Sequence, residues 1–226
     1  MNRSKQLRKA IPAILPSMLQ CDFGNLASEV ARLEAAGAGG LHLDVMDGRF
    51  VPNLTYGMPI VEAIRRNTTL PLDIHLMIED PGRYISAFVD AGANSISFHI
   101  EAVAEPTDLL RQVRSLGVWA GLAINPDTDL ATVLPFVELV DFILVMSVPA
   151  GFGGQPFNSI ALEKLRQLRA IRRDLVLEVD GGVNGSTIGD CREAGADLFV
   201  VGSALFRDTD YRAALDRLMQ AMSRPS

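Results

Sequence analysis

The chain has 226 residues, 48% of them hydrophobic and 21% charged, and a formal net charge of −6 at pH 7. This composition excludes a disordered or fibrous chain, and the negative balance disfavours a broad nucleic-acid surface. The basic run Arg3 to Lys9 has no apolar stretch behind it, and no apolar run is long enough to span a bilayer, so a soluble cytoplasmic enzyme without a membrane partner is expected.

In chain order, residues 1–10 read as a flexible, solvated tail and residues 11–226 as one catalytic domain. Within that domain short β-branched or apolar runs alternate with longer amphipathic ones. Strands are predicted near Pro12 to Leu15, Leu41 to Asp44, Leu72 to Leu76, Ser95 to His99, Trp119 to Ile124, Phe142 to Met146, Val176 to Asp180 and Leu198 to Val201. Helices are predicted over Gly24 to Ala36, Pro81 to Ala91, Asp129 to Val137, Ser159 to Arg172 and Asp210 to Met222. A weak repeat, Ala36-Gly37-Ala38, Ala91-Gly92-Ala93 and Ala194-Gly195-Ala196, ends a helix just before a strand, with glycine supplying the left-handed residue. Eight such units point to an α/β fold, a single (β/α)8 TIM barrel, whose chemistry gathers at the C-terminal strand ends. An open doubly wound sheet is the alternative, and it would separate the second and third strands from the seventh.

His42 and Asp44 lie two apart on the second strand, His75 ends the third and Asp180 the seventh. Alternate residues of a strand share a face, so these four side chains can converge in a barrel mouth. One buried strand histidine is more often a hydrogen-bonded core residue than a ligand. Three strand ends that carry His and Asp favour one divalent metal ion, with Zn, Fe(II), Mn and Co all compatible with nitrogen and oxygen donors. His99 is kept behind the ligand set because no carboxylate accompanies it on its face, and Asp47 in Met46-Asp-Gly48 reads as a turn residue.

Gly151-Phe152-Gly153-Gly154-Gln155, Gly181-Gly182 and Gly202-Ser203 follow the sixth, seventh and eighth strands, where exposed backbone N–H groups can hold a phosphate. The chain has three lysines, Lys5, Lys9 and Lys164, none at a predicted strand end, which removes Schiff-base aldolases. No Gly-Lys-[Ser/Thr] run marks a nucleotide-binding loop, and no Asp-x-Lys-x-x-Asp marks a metal-independent decarboxylase barrel. Met46, Met77 and Met146, at or just past strand ends, suggest an apolar wall over an intermediate, although any one of them could be core filler. Cys21 and Cys191 are lone thiols without paired spacing.

These motifs resemble those of the ribulose-phosphate 3-epimerase family. The matching stretches are Leu15-Pro-Ser-Met-Leu19, His42-Leu-Asp-Val-Met-Asp-Gly-Arg-Phe-Val-Pro-Asn53, Asp73-Ile-His-Leu-Met77, Met146-Ser-Val148 with Gly151 to Gln155, Glu178-Val-Asp-Gly-Gly182 and Val201-Gly-Ser-Ala-Leu-Phe206. They run from the first strand to the eighth. The resemblance implies a metal-dependent barrel that interconverts D-ribulose 5-phosphate and D-xylulose 5-phosphate in the pentose phosphate pathway. It implies His42, Asp44, His75 and Asp180 as metal ligands and Asp44 with Asp180 as the acid/base pair. Ser17, His75, Gly151, Phe152, Gly153, Gly154, Asp180, Gly181, Gly182, Gly202 and Ser203 then correspond to substrate and phosphate contacts. Pro149-Ala150 and Gln20-Cys21 depart from the family pattern, the former beside the glycine loop.

Inverting C3 of a 2-ketose phosphate removes a proton next to a carbonyl and returns one to the opposite face, which calls for two opposed carboxyl groups. A six-carbon ketose phosphate such as D-allulose 6-phosphate is an alternative substrate, distinguished by comparing turnover. A barrel that only binds metal and phosphate is a third reading, distinguished by whether a substrate proton exchanges with solvent. The partner expected is a small sugar phosphate, with no nucleic acid, and the assembly expected is a homo-oligomer.

Overall fold

A computed structural model describes residues 4–223. Eight strands, β1 (Ala13–Pro16), β2 (Leu41–Met46), β3 (Leu72–Met77), β4 (Ser95–His99), β5 (Trp119–Ile124), β6 (Phe142–Met146), β7 (Val176–Asp180) and β8 (Leu198–Val201), form one sheet. All paired neighbours are parallel, in the order β1-β8-β7-β6-β5-β4-β3-β2. The two ends of that order meet through a bridge between Ser17 and His42 and a hydrogen bond of 3.2 Å from Gly39 N–H to the Ile14 carbonyl, so the sheet curls into a nearly closed barrel. Around it lie α1 (Ser4–Ala10), α2 (Leu26–Ala36), α3 (Met58–Asn67), α4 (Ile85–Ala91), α5 (Thr107–Ser115), α6 (Ile160–Ile171), α7 (Ile188–Glu193), α8 (Ser203–Phe206) and α9 (Tyr211–Met222). No described helix is long and apolar enough to cross a membrane.

Burial on both faces explains why the strands read as short apolar runs. Outward residues such as Leu43, Ile74, Phe98, Leu122 and Val179 pack in the core shared with the helices. The inward set is divided. Leu15, Trp119, Ala123, Phe142, Leu144 and Leu198 form an apolar cluster, whereas His42, Asp44, Asp73, His75, Ser95, Ser97, His99 and Glu178 are buried polar residues of β2, β3, β4 and β7. Gly121 makes the apolar half possible, because a Cβ there would stand 2.4 Å from Cζ of Phe142. The Phe142 ring takes that space.

Three features differ from the sequence expectations. The segment expected to be a solvated tail carries α1, and its Leu7 is fully buried against Ala13, Leu15, Trp119, Phe142, Val176 and Leu198. All of these but Leu15 begin their strands, so Leu7, the one apolar side chain in a basic run, closes the N-terminal end of the barrel. Residues 1–3 lie outside the described residues. The helix expected over Asp129 to Val137 is instead two short 3₁₀ turns, Leu130–Thr132 and Leu134–Phe136, because Pro135 removes a backbone donor and blocks a continuous α-helix. The helices expected to begin at Gly24 and Pro81 begin instead at Leu26 and Ile85, each after a 3₁₀ turn.

Candidate active site

The parallel register sets Asp44 opposite His75 across β2 and β3, and the two-residue period puts His42 on the same inward face as Asp44. One donor atom each from His42, Asp44, His75 and Asp180 lies within 4.8 Å of all the others. Oδ1 of Asp44 is 3.3 Å from His42 Nε2 and 3.5 Å from His75 Nδ1. Both nitrogens are buried and without a hydrogen-bond partner, a costly state for a polar atom unless something else is to be bound there. The remaining Asp44 oxygen, Oδ2, accepts from Ser17 Oγ at 2.7 Å, and the Asp44 backbone N–H donates to the Tyr56 hydroxyl at 3.0 Å. Two orphan imidazole nitrogens beside two carboxylates fit a divalent cation of the N- and O-liking kind.

The far side of each ring is anchored inside the barrel. His42 Nδ1 lies 2.6 Å from Asp73 Oδ2 and 3.3 Å from Glu178 Oε1. His75 Nε2 lies 2.9 Å from His99 Nε2, and His99 Nδ1 lies 3.0 Å from Glu101 Oε2. A carboxylate therefore does accompany His99, contrary to the sequence expectation. Strand periodicity does not identify Glu101, which lies two residues past the end of β4, where alternation no longer says which way a side chain turns.

These surroundings set the charges. Burial opposes ionisation of Asp44, but His42 and His75 outweigh it and hold its carboxyl far below the usual carboxylate range. On Asp180, burial and the Asp44 charge act together and push the carboxyl up to about 7. Burial works against a cationic His42, but Asp44, Asp73 and Glu178 outweigh it and raise its pKa well above the ordinary imidazole value, so positive charge is favoured at this point. Burial lowers His75 and takes His99 down to about 4, leaving both rings neutral at pH 7. At Glu101 burial is overcome by hydrogen bonds from His99 and Thr128, which hold the carboxyl down to about 2. Burial and the charge of Asp73 push Glu178 well above the carboxylate range.

Above this floor opens a cleft lined by Ser17, Asp44, Asp180 and the three methionines Met46, Met77 and Met146. Its other wall is Gly151, Phe152, Gly153, Gly154, Gly181, Gly182, Gly202 and Ser203. All the expected contacts but one thus meet at one opening. The exception is His75, which is fully buried and does not line the cleft. Gly182 has φ +62°, and a Cβ on it would stand 2.5 Å from the backbone nitrogen of Phe157. The chain can make that close turn only without a side chain. Phe152 is 54% exposed at the rim, and Gln155 Nε2 ties its loop together by donating to the carbonyls of Pro149 and Phe152 at 3.0 and 2.8 Å. Met46 and Met77 pack with Val51, while Met146 belongs to the apolar interior.

Several site residues were missed at the sequence level. Asp73 and Glu178 stand two residues before His75 and Asp180, so strand alternation was a usable signal for both. Gln20 lines the cleft, and its Nε2 would lie 2.5 Å from a Cβ on Gly153. Lys164, as expected, is not on a strand end: it sits on α6, and its Nζ donates to the carbonyls of Asn125 and Thr128, just past β5, at 2.7 and 2.6 Å. It remains outside the cleft lining. Asp47 is the turn residue expected, its Oδ1 accepting from the N–H groups of Arg49 and Phe50. Cys21 and Cys191 are buried and free.

Known proteins share both the fold and the motifs. Solved structures of mutant tryptophan synthase alpha-subunits from Pyrococcus furiosus share the fold. One has a TM-score of 0.70 at 16% identity, covering 94% of this chain and 98% of that one. Ribulose-phosphate 3-epimerase of Bacillus subtilis is 43% identical over 210 residues, 91% of this chain and 97% of that protein. The Escherichia coli protein of the same name is 42% identical over 220 residues, 94% of this chain and 97% of its own length. The model of the ribulose-phosphate 3 epimerase family matches residues 13–206. With identity at this level over nine-tenths of its length, the chain belongs to the ribulose-phosphate 3-epimerase family.

Proposed function

We propose that this protein interconverts D-ribulose 5-phosphate and D-xylulose 5-phosphate by inversion at C3, the epimerisation its relatives are named for and a step of the pentose phosphate pathway. The observation that carries this is the pair Asp44 and Asp180. Asp44 lies within the C-terminal half of β2 and Asp180 at the end of β7, one carboxyl held ionised and the other raised to about 7. Two carboxyls whose environments push their protonation states apart are suited to take a proton from one face of a carbon and return one to the other. Asp44 would act as base in one direction while Asp180 carries the proton, and the roles exchange in the reverse direction.

One divalent ion would be held by His42 Nε2, His75 Nδ1, Asp44 and Asp180; Zn, Fe(II), Mn and Co all suit this donor set. When bound, it would supply Lewis-acid stabilisation of the negative charge that develops on the substrate oxygens. Ser17 steadies Asp44 by its hydrogen bond. Met46, Met77 and Met146 would cover the flat ene-diolate and keep water from it. Backbone N–H groups of Gly153, Gly154, Gly182 and Gly202, with the Ser203 hydroxyl, would hold the phosphate, and Phe152 would close over it. A cytoplasmic location and a homo-oligomeric assembly complete the proposal.

The test is proton NMR of ribulose 5-phosphate with the protein in D2O, with and without added divalent metal. Loss of the C3 proton signal together with appearance of xylulose 5-phosphate is expected, with metal removal abolishing both. Full turnover by rigorously metal-free protein would overturn the metal part. No C3 exchange under any condition would overturn the whole.

A further inference from the structure

Glu101 lies in the turn after β4, outside the cleft lining, yet a single line of hydrogen bonds joins it to the proposed ligand set. Its Oε1 accepts from Asn125 N–H at 2.8 Å and from the Thr128 hydroxyl. Its Oε2 faces His99 Nδ1 at 3.0 Å, and on the other side of that ring Nε2 meets His75 Nε2 at 2.9 Å. The nitrogen left over, His75 Nδ1, is the buried orphan that faces Asp44.

Two neutral imidazoles that share one Nε2···Nε2 hydrogen bond have one hydrogen between them, so their tautomers are locked together. Only two arrangements exist. In the first, His99 carries its hydrogen on Nδ1, its Nε2 accepts from His75 Nε2–H, and His75 Nδ1 keeps a lone pair. In the second, every hydrogen is moved over and His75 Nδ1 bears one, which bars it from a cation. An ionised carboxylate only accepts, so Glu101 selects the first. Asn125 is the competitor. With its Oδ1 taken by the Ala150 N–H at 3.1 Å, it turns a hydrogen of Nδ2 toward His99 Nδ1 at 3.3 Å. That contact is longer and uncharged, and a hydrogen bond to an ionised acceptor is roughly twice as strong as a neutral one.

We propose that Glu101 is a positioning residue that, through His99, fixes the tautomer of His75 and so presents His75 Nδ1 as a lone pair to the divalent ion. This rests on the metal reading of the site.

The variant that separates this role from mere packing is Glu101→Gln. The Asn125 N–H and the Thr128 hydroxyl would keep the glutamine oxygen where Oε1 stands, which turns the amide NH2 toward His99 Nδ1 and inverts the line of hydrogen bonds. Long-range proton–nitrogen NMR on histidine-labelled, metal-free protein reads which His75 nitrogen carries hydrogen. Nε2–H is expected in the wild type and Nδ1–H in Glu101→Gln. Co²⁺ affinity, measured by chelator competition, is expected to fall about 10- to 100-fold in Glu101→Gln. Hydrogen on His75 Nδ1 in the wild type would overturn the proposal without recourse to any variant. So would a Glu101→Gln protein with the wild-type tautomer and affinity. Failure of the wild type to bind Co²⁺ at all would instead overturn the metal reading, and this proposal with it.

Discussion

Asp73 Oδ2 lies 2.6 Å from His42 Nδ1 with both side chains fully buried, and this contact leaves the other nitrogen of the ring directed at Asp44. A carboxylate behind a ligating imidazole fixes its orientation and raises its basicity. Asp73→Asn is therefore expected to weaken divalent-metal binding by about 10- to 100-fold, read by competition with a chelator. An unchanged affinity would show that the ring is oriented by barrel packing alone.

Asp44→Asn and Asp180→Asn are each expected to lower kcat by about 10²- to 10⁴-fold, the usual contribution of a general acid or base. Metal content must be measured in both variants, since both side chains also belong to the proposed ligand set. If either variant kept its metal and near-normal turnover, the acid/base roles would be wrong.

Gly153→Val should push its side chain into the space now held by Gln20, whose Nε2 would be 2.5 Å from the new Cβ. A strong rise in KM is expected for ribulose 5-phosphate and little change for any weak activity on ribulose itself. Equal losses on both sugars would show that the loop does not read the phosphate.

Leu7→Ala removes the side chain that closes the barrel floor. A buried leucine truncated to alanine costs about 2–5 kcal/mol, and the lower end is expected here because α1 is a terminal helix free to shift into the gap. Urea unfolding followed by Trp119 fluorescence measures the loss. Turnover should be unchanged, as Leu7 lies at the end of the barrel opposite the cleft.

Acid should destabilise the fold in two overlapping stages. His99 is lowered from 6.5 to about 4, so the unfolded chain takes up that proton first and stability falls as pH drops through this window. Glu101 is lowered from 4.5 to about 2, so the stability its ionised form contributes is complete above pH 4.5 and is lost as pH falls toward 2. Urea midpoints measured across this range should show both stages, and Glu101→Gln should make the lower one smaller, leaving the part that Asp44 and Asp73 contribute. A lower stage of undiminished size in that variant would assign it to those carboxylates alone.

Much of the site was legible before the fold because strand geometry is local. His42 with Asp44 and His75 with Met77 stand two apart, and a two-residue period puts each pair on one face whatever the rest of the chain does. Five of the eight strands have the predicted bounds, since an apolar run between turn residues specifies a doubly buried strand. The helix expected at Asp129 does not form for an equally local cause, Pro135, which lacks the backbone donor a continuous α-helix needs there.

By itself, then, the sequence determined that eight βα units alternate, which residues share a strand face, and where glycine turns follow the strands. Only the tertiary structure decided what lies behind those faces. Leu7 was an apolar residue in a basic run until the barrel floor gave it somewhere to be buried. Glu101 was an ordinary acid beyond a strand until the turn after β4 and the loop after β5 met around it. The hydrogen-bond partner of each ring nitrogen depends on ångström distances between segments far apart in the chain, such as His75 with His99 or His42 with Asp73. Those distances are set by how the whole barrel closes, which no local period encodes.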